Sequence, residues 1–211
     1  MQWFLFLHES IKKFISFMLQ MYYLIFMISL RKINTLLIIV IVVMLLNHAV
    51  LSLLYLYGVI SYSPDFQITG RRLFYPIVAH IIISLYLYFK DRARHVNRYS
   101  ALISDTRQQM ISGIFIILFA ALHILGYSFN PMGSESTFYY SVYHFIVDNM
   151  LFASIALHLR ISIPKLMMSF GFLDGKDAYL NFKRKVNYAV LIALIVLILG
   201  EVVYYIGGML W

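Results

Sequence analysis

The chain has 211 residues, of which 62% are hydrophobic and 12% charged, with a mean hydropathy of +0.82 and a formal net charge of +8. A soluble domain carries about 25% charged residues, so this balance excludes an ordinary water-soluble fold. The chain has no cysteine, which excludes disulfides, iron–sulfur ligation and Cys-containing zinc sites within it. In so apolar a chain the positive balance reads as the Lys/Arg bias of cytoplasmic loops, with no nucleic acid as partner.

In chain order, the first element is an apolar, amphipathic stretch over residues 1–32, with Lys12 and Lys13 ahead of an apolar run at 14–30. No small-residue cleavage site of a signal peptide follows it. The run is at the short end for a crossing, so the expectation is an interfacial helix on the cytoplasmic surface, with a sixth crossing as the alternative. Residues 33–211 then form the transmembrane domain. About 20 apolar residues cover the hydrocarbon core, and five stretches qualify: 33–60, 73–89, 108–128, 137–159 and 186–211. The connections between them hold turn formers such as Ser63, Pro64 and Asp65, or Asn130, Pro131 and Gly133. The fold class predicted is an all-α five-helix transmembrane bundle with the extra N-terminal helix. Of the 17 Lys and Arg residues, only Arg71 and Arg72 fall on one side of it. This asymmetry puts the N-terminus and the basic loops 90–107 and 165–185 inside.

Four histidines, His48, His80, His123 and His158, each lie within a different apolar stretch. An ionisable side chain at bilayer depth is a functional candidate, and four imidazoles on four helices match bis-imidazole ligation of iron in two b-type haems. At 1.5 Å per residue, His48 and His123 both lie about 22–24 Å from the inner face. His158, two residues before Arg160, and His80, about 15 Å from Lys90, form an inner pair by the same rise. The competing reading of each is a hydrogen-bonding group between polar helix faces. His8 and His95 fall outside the apolar core and read as solvated. Two acids also lie inside spans, Asp148 and Glu201, each expensive enough there to suggest a role. His144 is one helical turn from Asp148, and the two are candidates for a quinone or proton site, with a local polar pair as the alternative.

These residues resemble a known family. The stretch HIIISLYLYFKDRARHVNRYSALISDTRQQMISGIFIILFAALH, residues 80–123, is similar to the second and third helices of the cytochrome b membrane subunit of succinate dehydrogenases and fumarate reductases, in its single-chain, five-helix, dihaem form. Within it Gln109, Ser112, Gly113 and His123 match the family pattern of Gln, a small residue, Gly, and His ten positions later. The stretch LHLRISIPKLMMSFGFLDGKDAYLNFKRKVNYAVLIALIVLILG, residues 157–200, resembles the fourth ligand helix, its amphipathic exit and the last span. The resemblance covers about residues 34–208 and is distant in the first helix.

The resemblance implies a non-flavin subunit of a quinone-linked oxidoreductase that binds two haem b groups through His48, His80, His123 and His158. It implies a flavoprotein subunit and an iron–sulfur subunit as partners, docked on the basic inner loops, and menaquinone or ubiquinone as substrate. Dicarboxylate chemistry would lie in the flavoprotein, since this chain has no Rossmann fingerprint and no soluble domain to hold flavin. The setting implied is the bacterial cytoplasmic membrane, with the mitochondrial inner membrane as alternative. Gly113 would let a flat macrocycle approach its helix, and Ser162 stands where the family has Gly. Asp65 lies where related fumarate reductases have an acid associated with quinol oxidation. Ala156 stands where some members carry a proton-conducting glutamate, so that route is not supported. Two other readings stay open: a cofactor-free helical accessory or transport subunit, and a ferric-reductase-like haem protein using His144 and His158 on one helix.

Overall fold

The structure of the protein is a computed structural model that describes residues 2–93, 100–129 and 138–207, with only part of the side chains before residue 30 and the backbone alone at 92–93 and 100–103. Five α-helices follow one another: α1 Gln2–Leu56, α2 Asp65–Ala93, α3 Ser100–Phe129, α4 Phe138–Ser169 and α5 Gly175–Glu201. The last runs into a π-helical turn, Val202–Ile206. No strand occurs among the described residues. Each helix contains a segment long and apolar enough to cross a membrane: Leu30–Leu56, Asp65–Asp91, Ser104–Phe129, Phe138–Ser169 and Gly175–Ile206. In hydrocarbon only helices or closed barrels satisfy every backbone group internally, so the apolar runs fold as the all-α class expected.

Helix boundaries differ from the expectation in ways that have local causes. Helix α1 is continuous through residue 32, so the expected interfacial segment and the first span share one helix. It ends at Leu56 instead of near 60, because Gly58 adopts φ +70°. There Gly58 N–H donates to the Tyr55 carbonyl and Val59 N–H to the Leu54 carbonyl. Those two bonds form a Schellman cap, which needs a left-handed residue where glycine costs least. Helix α4 continues ten residues past 159, through Pro164, and closes with the same motif at Gly171, φ +77°. The missing proline N–H is tolerated in membrane helices where neighbours re-satisfy the backbone. Helix α5 starts at Gly175, far earlier than 186. The basic connection expected over 165–185 is therefore mostly helix, with a turn of a few residues at its centre. The loop at Asn130, Pro131 and Gly133 lies outside the described residues.

By packing, the chain divides into two units, Met1–Asn47 with Ile68–Val96, and His48–Gln67 with Asn97–Trp211. In the first, Arg31 of α1 donates to Asp91 of α2 at 2.8 Å. In the second, α3 packs on α4 and α4 on α5. The central helix α4 buries His144, Val147, Asp148, Leu151, Ser154, Ile161 and Pro164, a stripe at helical spacing. Large apolar side chains face outward on every helix, among them Leu36, Ile82, Ile114, Leu157 and Ile192. The polar groups Asp105, Ser112, His144, Asp148, Ser154 and Glu201 are buried. Apolar surface outside and polar groups inside suits a lipid solvent.

Candidate functional site

In the second unit, helices α3, α4 and α5 bring a polar cluster together in the half of the span distant from the basic residues. Asp148 of α4 is 2% exposed. One of its carboxylate oxygens accepts from His123 Nδ1 at 2.7 Å and the other from the Tyr127 hydroxyl at 2.7 Å. His123 and Tyr127 are one turn apart on α3, so they present both donors from one face. The Tyr127 hydroxyl also lies 3.0 Å from that of Tyr205, which the π-helical turn carries, and Tyr204 beside it bonds Tyr55 of α1 at 2.8 Å. Helical turns of this wide kind re-aim side chains and recur at functional sites.

His144 is 3% exposed, and its ring stacks on Tyr127 at 4.1 Å between centroids and on Tyr205 at 6.5 Å. The hydrogen-bond partners of Asp148 thus lie across on α3 and not on its own helix, because the α4 stripe turns Asp148 toward α3, so the alternative of a local Asp148–His144 polar pair is not the bonding found. Gly126 makes this approach possible. A Cβ there would stand 2.6 Å from Tyr143 Cε1 and 3.0 Å from His144 Cε1. Glu201 ends α5 immediately before the π-helical turn, is 2% exposed, and lies within electrostatic reach of Asp148. Its Oε2 has no hydrogen-bond partner among the described residues. An apolar groove of about 320 Å³, lined by Leu125, Gly126, Phe129, Tyr140 and Tyr143, opens next to the cluster.

Three of the four candidate ligands share a feature of bonding. His123 Nδ1 donates to a carboxylate, as above. His158 Nδ1 donates at 3.1 Å to the Gln109 carbonyl, with Ser112 Oγ also at 3.1 Å. In the first unit, His80 Nδ1 donates to Asn34 Oδ1 at 2.9 Å, and Ser84 reaches the same oxygen at 3.3 Å. Each acceptor fixes the ring's proton on Nδ1, which puts the lone pair of the neutral imidazole on Nε2. The ring of His48 hydrogen-bonds the backbone of Phe66 and lies within electrostatic reach of His123 and Asp148. The second unit therefore brings His48 and His123 to one cluster. His80 belongs to the first unit and His158 to the second. His8 and His95 lie outside the described side chains.

Toward the basic end of the second unit a second network joins the same helices. Gln109 Nε2 donates to Ser162 Oγ at 2.8 Å, and Lys165 Nζ donates to Gln109 Oε1 at 3.0 Å and to Thr106 at 2.9 Å. Asp105 accepts from Lys183 Nζ at 2.7 Å and from Tyr179 at 2.8 Å. Gly113 faces His158, whose Cε1 would be 3.7 Å from a Cβ there. Two of the basic residues assigned to docking, Lys165 and Lys183, are thus engaged within the unit. Asp65 is exposed at the first turn of α2, with its N–H on Ser63 Oγ. An acid at that helix end is accounted for by the helix dipole.

The tyrosines at 55, 127, 204 and 205 escape a search for ionisable residues. Tyr127, four residues after His123, had the spacing that could have found it. Asp105 and Lys183 carry no such signal, being 78 positions apart. Among the described residues no group of three or more His, Asp or Glu could hold a bare metal ion. Comparisons with protein-family models, curated proteins and solved structures gave no match to this chain.

Proposed function

We propose that the chain is a dihaem cytochrome b, the membrane-anchor and electron-transfer subunit of a succinate dehydrogenase or fumarate reductase complex. The observation that carries this reading is the Nδ1 bonding of His80, His123 and His158 to oxygen acceptors. Iron-ligating histidines are held by such bonds, which fix the tautomer and aim Nε2 at the metal. Bis-imidazole ligation asks the chain for only two donors per iron, the macrocycle supplying the rest. The donor set therefore fits haem better than a bare ion. His48 and His123 would hold one group. His80 and His158 would hold the other, a pairing that rests on their depths along the sequence.

When bound, the two haems supply one-electron ferric/ferrous couples. The chain's own residues hold the imidazoles in orientation, through Asn34, Asp148 and Gln109, and keep water from them with an apolar exterior. The basic ends of α4 and α5 offer a docking face for an iron–sulfur subunit, itself joined to a flavoprotein. Quinone, menaquinone or ubiquinone, would exchange electrons on the opposite side. There Glu201 and His144 supply buried polar groups for its oxygens and protons, and the apolar groove beside Gly126 suits its tail. The orientation that follows has the N-terminus and basic ends in the cytoplasm of a bacterium, by the positive-inside asymmetry.

A second reading has a specific observation in its favour: the chain of Asp148, Tyr127 and Tyr205 hydroxyls near Glu201 would serve proton movement in a cofactor-free transport subunit. A pyridine haemochrome assay of the purified protein separates the two. About two haems per chain is the expected result, and none would overturn the cytochrome reading. Mild detergent extraction of C-terminally tagged protein should bring a flavoprotein and an iron–sulfur protein with it. A haem protein isolated alone would overturn the anchor role.

A further inference from the structure

Resting on the cytochrome reading, we infer that Asp148 is a positioning residue for the iron ligand His123, lowering the reduction potential of the haem that His123 would hold. The geometry has three parts. The carboxylate is 2% exposed and receives His123 Nδ1 at 2.7 Å, within the short range of charge-assisted bonds. Its second oxygen accepts from Tyr127 at 2.7 Å, so each carboxylate oxygen has its own donor on α3. Finally, Asp148 is the one acid among these Nδ1 acceptors: His80 has an amide oxygen and His158 a backbone carbonyl.

A charged acceptor draws the Nδ1 proton more strongly than a neutral one. The ring then carries more negative charge at Nε2 and becomes a more basic ligand. A more basic ligand favours the ferric over the ferrous state, because the extra positive charge is better compensated; hydrogen bonding around an axial ligand is one of the protein's levers on potential. Tyr127 moderates the effect, since its hydroxyl spreads part of the carboxylate charge away from His123. Burial makes the effect larger than it would be in water.

The test is a redox titration of the intact complex, followed at the haem absorption bands, for the wild type, Asp148→Asn and Tyr127→Phe. The component concerned is the one that disappears in His123→Ala. Asp148→Asn keeps the size and an oxygen acceptor but removes the charge, so that component should move to higher potential while the other stays. No movement, or equal movement of both, would overturn the inference. Should Asp148→Asn fail to retain haem, Tyr127→Phe carries the test. The same component should fall in potential, and an unmoved one overturns the inference. A wild-type protein that holds no haem overturns the cytochrome reading itself, a result distinct from any of these.

Discussion

Replacing Gly126 with alanine should loosen the α3–α4 contact beside the His123–Asp148 pair. The new Cβ would meet Tyr143 Cε1 at 2.6 Å and His144 Cε1 at 3.0 Å, so Tyr143 must retreat by roughly 1 Å to regain an ordinary carbon–carbon separation. Neither neighbour yields easily. Tyr143 is tied through its hydroxyl to the Leu122 carbonyl at 2.8 Å, and the His144 ring stacks on Tyr127 and on Tyr205. Overpacking of this kind costs about 1–3 kcal/mol, and losing the Tyr143 bond adds about 0.5–1.5 kcal/mol. Alanine's better helix propensity returns about 1 kcal/mol. The net expectation is a destabilisation of about 1–3 kcal/mol, read as about 2–4 °C in Tm for each kcal/mol. Thermal unfolding in detergent measures it, with Gly207→Ala as control, since nothing lies within 4 Å of a Cβ at that position. If Gly126→Ala unfolds at or above the temperature of the control, the steric argument is wrong.

Three further outcomes are expected, the first and last of them resting on the cytochrome reading. His48→Ala and His123→Ala should remove one haem component, and His80→Ala and His158→Ala the other; redox titration of the four variants would expose a wrong pairing if His48→Ala and His80→Ala lose the same component. Lys183→Ala strands the buried Asp105 carboxylate with Tyr179 as its remaining hydroxyl donor. It should destabilise by about 3 kcal/mol, whereas Asp105→Asn, which removes the charge as well, should cost less in the same unfolding measurement. Glu201→Gln keeps the size of a buried group while removing its ionisation, so haem content should survive and quinol-linked turnover should fall; unchanged turnover across pH would make Glu201 a structural residue.

The five spans were legible because a bilayer leaves apolar runs no choice but helix. Their ends were less so. The expected start of the last span at 186 ignored Tyr179 and Lys183, which stay helical because Asp105 gives them a partner on α3. The expected span ended at 159, near Arg160, whereas α4 runs on through Pro164 to Ser169. Along one helix the sequence reads well: ten residues at a 1.5 Å rise put Gly113 about 15 Å from His123 toward the basic end, and Gly113 faces His158. Across helices it reads poorly, since no pattern in a single chain fixes how one helix is rotated against another. That is why the hydrogen bond from His123 on α3 to Asp148 had no signal in the sequence, whereas the one-turn spacing of His144 and Asp148 did.

The turn between α4 and α5 has a consequence for assembly. With the chain reversing direction tightly after Gly171, Lys176, Arg184 and Lys185 stand exposed on a helix that is already pinned to α3 through Lys183 and Asp105. A mobile basic loop would lose conformational freedom on being captured, at about 0.5–1.5 kcal/mol for each long side chain immobilised, with backbone ordering in addition. An iron–sulfur partner docking there, as proposed, would meet cations on a backbone already ordered. Recognition on this face would then depend on matching fixed charges in register, with little of the binding energy diverted into folding the surface.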